Sequence, residues 1–224
     1  MILAIDSSTK SLSLALTDNS GAVIREVFVL SDQLRHSDVL FQQLDKITRG
    51  IKLEQLAKIA CTTGPGSFTG IRIGLSFART LSQIYNIPLV GVSTLDALAR
   101  QSEASKAFFI CPLIPAQQEN VYIALYKTEG TKFKRLIAPK LQNIKDVKNL
   151  FKHTPVIFTG EGALKYKELL KTLFPDSKIL TDTKFIFPKA STIALIASKK
   201  KGTSFRKVVP TYFQLPRLSK NPKN

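Results

Sequence analysis

A chain of 224 residues with 44% hydrophobic content can form one large domain or two small lobes around a real core. No apolar run approaches the roughly 20 residues of a membrane span, and Met1-Ile2-Leu3-Ala4-Ile5-Asp6 reaches a carboxylate too soon for a signal peptide, so a cytoplasmic protein with no membrane partner is expected. The formal charge of +17, from 33 basic against 16 acidic residues, exceeds what solubility requires and points to a polyanionic partner, nucleic acid being the commonest.

The first strands are predicted at 2–5, 12–16 and 23–29, separated by Asp6-Ser7-Ser8-Thr9 and by the turn Asp18-Asn19-Ser20-Gly21, which makes an antiparallel meander. A helix follows over 37–48, with Leu40, Leu44 and Ile47 at i, i+4, i+7 and Asp38 in its first turn. A strand at 59–62, holding Cys61, leads into the turn Gly64-Pro65-Gly66-Ser67-Phe68-Thr69-Gly70, and then a long helix runs over 71–85. On that helix Arg72, Ser76, Arg79 and Gln83 fall in one stripe, while Ile71, Leu75 and Ala78 line one flank and Ile73, Phe77, Leu81 and Ile84 the other. Two apolar flanks suit either a helix sandwiched inside its domain or a docking helix. A strand at 89–92 and a helix from Thr94 complete a mixed sheet flanked by helices.

The second half repeats the theme more weakly. Strands are expected near 107–114, which holds Cys111, and near 121–126 and 132–137, then a helix around 144–151, a strand at 156–159, a helix from Gly160-Glu161-Gly162-Ala163 to Leu173, and a closing helix over 190–198. The lobes are placed at 1–103 and 104–202, with the closing helix free to pack back on the first lobe. Residues 203–224 are read as a loosely structured basic tail. Beyond Asp182 no acidic residue occurs, while Lys184, Lys189, Lys199, Lys200, Lys201, Arg206, Lys207, Arg217, Lys220 and Lys223 accumulate. A solvated charge run explains these lysines as well as nucleic acid does, because few aromatics interleave with them.

Asp6 closes the first strand with three hydroxyl residues behind it, a turn that can hold a phosphate or magnesium or can be an ordinary Asx turn. The glycine turn lacks the Gly-Lys-Ser/Thr of a P-loop, yet its N–H groups at a helix head could face an anion. The two histidines, His36 and His153, are far apart, and His36 reads as a cap or surface residue. The two cysteines, Cys61 and Cys111, lack the spacing of a zinc site and are too few for a disulfide framework, so both read as reduced core residues. No metal site is expected.

Met1-Ile2-Leu3-Ala4-Ile5-Asp6-Ser7-Ser8 and Thr63-Gly64-Pro65-Gly66-Ser67-Phe68-Thr69-Gly70-Ile71-Arg72-Ile73-Gly74 closely resemble the TsaB (YeaZ) family, bacterial partners in making threonylcarbamoyladenosine on tRNA. Arg35-His36-Ser37, Gly91-Val92-Ser93-Thr94-Leu95, Val121-Tyr122, Gly160-Glu161-Gly162-Ala163 and Pro210-Thr211-Tyr212 look like further family landmarks. The resemblance implies a two-lobed α/β fold of the actin, Hsp70 and sugar-kinase type (ribonuclease H-like), each lobe a mixed five-stranded sheet with flanking helices. It implies a non-catalytic subunit that pairs with TsaD, the relative carrying metal-binding histidines, and works with TsaE, an ATPase, on tRNAs reading ANN codons. The threonylcarbamoyl group would come from threonylcarbamoyl-AMP and go to the adenosine beside the anticodon.

In the family the two helices after the first strands build a four-helix bundle with the partner, which implies Leu40, Leu44, Ile73, Phe77, Leu81 and Ile84 as interface residues here. A surface of that kind predicts a homodimer when the chain is alone. The family's usual Asp-Ala-Arg before the Val-Tyr strand reads Pro115-Ala116-Gln117, and an expected Arg reads Gln214. These departures imply that no cofactor is held firmly by this chain, that ATP or ADP belongs to the complex, and that Asp6, Ser8 and Thr9 are remnants of a phosphate loop or contributors to a site shared with the partner. Lys199, Lys200, Lys201, Arg206 and Lys207 are the candidates for tRNA contact, an inference from charge. The alternative class is an enzyme, a ribonuclease H-like nuclease or a glycoprotease-type peptidase.

Overall fold

The computed structural model describes residues 1–30, 36–105, 109–129, 132–150 and 155–213. Arg35, Ala107, Phe151, His153, Gln214, Arg217, Lys220 and Lys223, and with them the last 11 residues of the expected tail, lie outside the described residues.

β1 (Ile2–Asp6), β2 (Ser11–Thr17) and β3 (Val23–Leu30) form the expected meander, β1 and β2 being wholly buried and therefore apolar or small almost throughout. Asp18 sets the β2–β3 turn: its Oδ1 accepts from the backbone N–H groups of Ser20, Gly21 and Ala22 and from the Ser20 hydroxyl. β4 (Lys58–Gly64) and β5 (Leu89–Ser93) add parallel strands, giving the order β3-β2-β1-β4-β5. Helices α1 (His36–Thr48) and α2 (Phe68–Ile84) cover one face of this sheet through Leu40, Ile47, Leu75 and Ala78. α3 (Thr94–Gln101) and α6 (Ala190–Ser198) cover the other. Small side chains on both partners, Ala4, Ala15 and Ala60 on the sheet against Ala190, Ala194 and Ala197, seat α6 against the sheet.

The second sheet reproduces the first. β6 (Phe109–Pro115), β7 (Asn120–Glu129) and β8 (Lys132–Asn143) are an antiparallel meander, and β9 (Ile157–Thr159) and β10 (Lys178–Ile179) add in parallel beside β6. Between β9 and β10 the expected single helix divides at Tyr166 into α4 (Glu161–Lys165) and α5 (Lys167–Leu173). α4 packs on β6, with Gly162 against Leu113, while α5 inserts Leu170 into the second core.

One further expectation changes and one strand is added. The segment after β8 is a 3-10 turn over Ile144–Leu150, not an α-helix. Its apolar residues Ile144, Val147 and Leu150 recur every third position, which matches three residues per turn. β10 has only two residues, too few to leave a period in the sequence.

The largest revision concerns the expected tail. Thr203 pairs antiparallel with Leu89, Ser204 caps a short 3-10 turn over Phe205–Lys207, and Val208 is buried in the first core. Thr211 N–H donates to the Thr63 carbonyl at 2.7 Å, and the Tyr212 ring lies 4.9 Å from Phe68. Residues 203–213 are thus a strap on the first lobe that reaches the second, where Phe213 meets Tyr122 at 5.8 Å.

Candidate functional site

The Asp6 turn and the glycine turn, 60 residues apart in sequence, are packed directly on each other. Ser67 N–H donates to the Ser8 carbonyl at 2.8 Å, and the Ser7 hydroxyl donates to the Gly70 carbonyl at 2.8 Å. Only glycine permits this approach: a Cβ at Gly66 would lie 2.1 Å from the Ser8 carbonyl oxygen, and one at Gly70 2.0 Å from that of Ser7. Ser67 also caps α2, accepting from Gly70 N–H, while Ile71 N–H bonds to the Ser67 carbonyl. The N–H groups of Ser67, Gly70 and Ile71 are therefore consumed by protein, which leaves this helix head fewer donors for an anion than the sequence suggests.

Asp6, Ser8 and Thr9 lie together but inside, at 0%, 0% and 5% exposure. Asp6 Oδ1 accepts from the hydroxyls of Ser8 and Thr62, both at 2.7 Å, and from Ser8 N–H at 3.2 Å. Oδ2 has no partner among the described residues. Burial outweighs the hydrogen bonds and raises the Asp6 carboxyl from 3.8 to about 6. Cys61, behind it, is pushed up to about 12 by burial and then by Asp6, which leaves an inert thiol. Cys111 is likewise buried and pushed up.

The raised carboxyl makes a prediction. Between pH 4 and 6 the folded chain holds a proton that the unfolded chain has lost, so this group's stabilising contribution is full below pH 4 and gone above pH 6. A rise of two units is worth about 3 kcal/mol. Asp6→Asn removes that dependence, so the variant's stability minus the wild type's should grow by about 2–3 kcal/mol from pH 4 to 7 in urea titrations. A difference that stays flat would mean that the carboxyl is not desolvated.

Around the strap, Pro65, Phe68, Pro115, Gln117, Tyr122 and Tyr212 line a cavity of about 250 Å³ between the lobes. A larger one of about 800 Å³ lies beside Lys10, Leu30, Pro115, Glu161 and Phe187. Pro115 borders both and presents an uncharged ring to each. Among the described residues, no three of His, Cys, Asp and Glu come together as a metal-holding group, and no helix is long and apolar enough to cross a membrane.

The interface candidates separate by burial. Leu40 and Leu81, 1% and 9% exposed, belong to the first core and offer no docking surface, because Leu40 lies on the side of α1 that packs on β2 and the Leu81 side chain turns inward. Leu44, Ile73 and Phe77 are half-buried, and Ile84 is 65% exposed. Phe41 was missed: it is 67% exposed and meets Phe77 edge-on at 5.0 Å. Its signal was a large aromatic about 100° away from the Leu40–Leu44–Ile47 stripe on the same helix. Lys199, Lys200, Lys201, Arg206 and Lys207 are all exposed, the first three following α6 and the last two on the strap.

A meander followed by two parallel strands, built twice around a cleft, places the molecule in the two-lobed class of actin, Hsp70 and the sugar kinases, here with its Asp6 turn closed by its own glycine turn. YeaZ from Pseudomonas aeruginosa has the same fold, with a TM-score of 0.78 at 22% identity over 94% of this chain and 98% of that one. The model of the family TsaD: tRNA N6-adenosine threonylcarbamoyltransferase matches residues 33–219. The tRNA threonylcarbamoyladenosine biosynthesis protein TsaB of Buchnera aphidicola subsp. Schizaphis graminum is 32% identical over 192 residues, 80% of this chain and 87% of its own length. That of Bacillus subtilis is 26% identical over 218 residues, 96% of this chain and 94% of its own. The chain belongs to the TsaB (YeaZ) family.

Proposed function

We propose that this protein is the non-catalytic subunit that binds and activates a TsaD-like catalytic protein in tRNA threonylcarbamoyladenosine synthesis, a cytoplasmic role. The observation that carries this reading is the aromatic and aliphatic face on α1 and α2, where Phe41 and Ile84 stand in solvent beside half-buried Phe77, Ile73 and Leu44. Two adjacent helices with an apolar outer face suit a four-helix bundle with two helices of a partner, and the same face suits a homodimer when the partner is missing. The names of the relatives place them in the same pathway.

The closed Asp6 turn supports the non-catalytic part. A phosphate or substrate reaching Asp6 would have to displace the glycine turn, whose hydrogen bonds to Ser7 and Ser8 hold it down. A ribonuclease H-like nuclease needs that carboxylate exposed with others around metal ions, and Asp6 is 0% exposed. On this reading ATP or ADP is handled by the complex with its TsaE-like ATPase, threonylcarbamoyl-AMP is the donor, and the acceptor is the adenosine next to the anticodon of tRNAs reading ANN codons. The exposed lysines and arginine at 199–201 and 206–207 would lie toward tRNA in that complex.

The experiment is reconstitution with TsaD-like and TsaE-like proteins, donor, ATP and tRNA, read by nucleoside mass spectrometry. Modified adenosine forming only when this chain is present is the expected result, and Asp6→Asn is expected to support it equally. The same yield without the chain would end the proposal.

A further inference from the structure

A second constellation lies away from the α1–α2 face and the Asp6 turn. Arg100 on α3, Tyr126 on β7, Phe133 and Arg135 on β8, and Lys199 and Lys200 after α6 surround a cavity of about 500 Å³, within the range of small-ligand pockets. Its aromatic wall is layered. Tyr126 stacks on Phe133 at 5.2 Å and 19°, the Arg100 guanidinium lies 5.3 Å from the centre of the Phe133 ring, and that of Arg135 lies 5.9 Å from the centre of Tyr126. Leu195 and Ile196 of α6 supply apolar surface opposite.

The wall is held by a charged brace. Asp96, in the first turn of α3, accepts from the Tyr126 hydroxyl at 2.6 Å and from Arg135 Nη2 at 2.5 and 2.7 Å. Burial first, then the Asp96 carboxylate, hold the Tyr126 phenol well above its ordinary range, so it stays a neutral donor. Arg100 pairs with Glu103 at 2.6 Å. Both arginines are thus oriented, and Arg135 keeps 42% of its side chain exposed.

The two lysines stand apart from this balance. Neither Lys199 nor Lys200 has an ion-pair partner among the described residues, and both are exposed. Lysines that follow a helix often serve its last carbonyls, but here another residue does so: Lys58 Nζ reaches from β4 to the carbonyls of Ala197, Ser198 and Lys200, at 3.1, 3.2 and 2.7 Å. Lys58 fixes the turn and leaves two ammonium groups at the cavity rim with no structural task.

We infer that this cavity is a binding site for a nucleotide unit of single-stranded RNA, its phosphate met by Lys199 and Lys200 and its base received by the wall that the Arg100–Phe133–Tyr126–Arg135 stack presents. The chemistry is specific in two ways. Unpaired lysines offer point charges for a phosphate, while a ring already in a stack, flanked by apolar side chains, suits an unpaired base rather than a carboxylate-rich peptide. The inference deepens the proposal that the chain works beside tRNA, and it rests on that proposal for the identity of the RNA; binding by the chain alone tests it separately from any effect on a catalytic partner.

The experiment is fluorescence anisotropy of a labelled single-stranded oligoribonucleotide with the purified full chain. Lys199→Ala/Lys200→Ala should weaken binding by about tenfold or more and flatten its salt dependence. Phe133→Leu, which keeps every charge, should weaken it by about fivefold. The control Lys148→Ala/Lys178→Ala removes the same charge from exposed positions elsewhere in the second lobe, Lys178 lying on β10 at the opposite sheet edge from β8, and should change binding less than about twofold. AMP should chase the RNA better than inorganic phosphate does, which separates a nucleotide site from a plain anion site. An equal loss in the control, an unaffected Phe133→Leu, or an acidic peptide binding as tightly as RNA would each overturn the inference.

Discussion

Gly70→Ala is expected to cost this protein about 4 kcal/mol or more, enough to leave much of it insoluble. The substitution lies in the first turn of α2, where alanine normally gains up to about 1 kcal/mol over glycine, so the sign itself is diagnostic. Here the added methyl would sit 2.0 Å from the Ser7 carbonyl oxygen and 3.2 Å from its carbon, both main-chain atoms. Ser7 follows fully buried β1 and cannot swing aside as a long side chain could. Relief requires α2 to lift by about 1 Å or more, which breaks the bonds from the Ser7 hydroxyl to Gly70 and from Ser67 N–H to Ser8 and opens the turn around Asp6. Against a total stability of roughly 5–15 kcal/mol, that is a large share. Gly50→Ala is the control, since nothing lies within 4 Å of its added Cβ and only its φ of +78° is strained; it should cost about 1 kcal/mol. Urea denaturation decides the matter, and a Gly70→Ala variant within 1 kcal/mol of wild type would refute the close packing of the two turns.

Phe41→Glu/Ile84→Glu should weaken capture of a TsaD-like subunit by about 100-fold or more while leaving the fold intact. Both side chains are about two-thirds exposed, 67% and 65%, so the isolated chain loses little by their replacement. In a complex they would be the central apolar anchors of the face, and losing two such anchors while burying two carboxylates typically costs well over 3 kcal/mol. Calorimetry on the purified subunits, with thermal melting as the folding check, reads both effects. Leu40→Glu gives the contrast: with Leu40 at 1% exposure it should unfold the chain rather than selectively weaken the complex. Unchanged affinity in the double variant would remove the α1–α2 face from the proposed function.

Much of this architecture is legible in the sequence because it is local. Alternation and apolar runs place β1 to β9, with β8 running on to Asn143 where the sequence suggests an end at 137, and the Asp18-to-Gly21 turn carries its own hydrogen-bonding side chain. Periodicity also separates the two flanks of α2, of which Ile71, Leu75 and Ala78 are buried and Ile73, Phe77 and Ile84 are not fully so. The candidate site is less legible. The resemblance implied Leu40 and Leu81 as interface residues and left out Phe41, and helical phase could not correct this because a period gives angles around an axis but not the direction of the sheet. The glycine turn drew attention as an anion cradle for a similar reason: close approach to a carbonyl and close approach to a phosphate ask for the same residue.

Residues 203–213 show the limit from the other side. Basic and proline-containing, they have no apolar period, yet Val208 is 7% exposed in the first core and Thr203 pairs with the edge strand β5. One buried valine, the rings of Phe205, Tyr212 and Phe213 and a few backbone hydrogen bonds hold this strap, and none of them leaves a repeat to read. The sequence by itself determined the succession of strands and helices up to β9, the two helices with an apolar surplus, the excess positive charge and the glycine spacing that marks the family, since each is carried by neighbours in the chain. Only the tertiary structure decided that the Asp6 turn is closed, which apolar residues face outward, and that Arg100, Phe133, Arg135 and Lys199 share one cavity. Those are outcomes of packing between segments distant in sequence, and contact at that range is set by where the sheets and helices dock, not by any pattern along the chain.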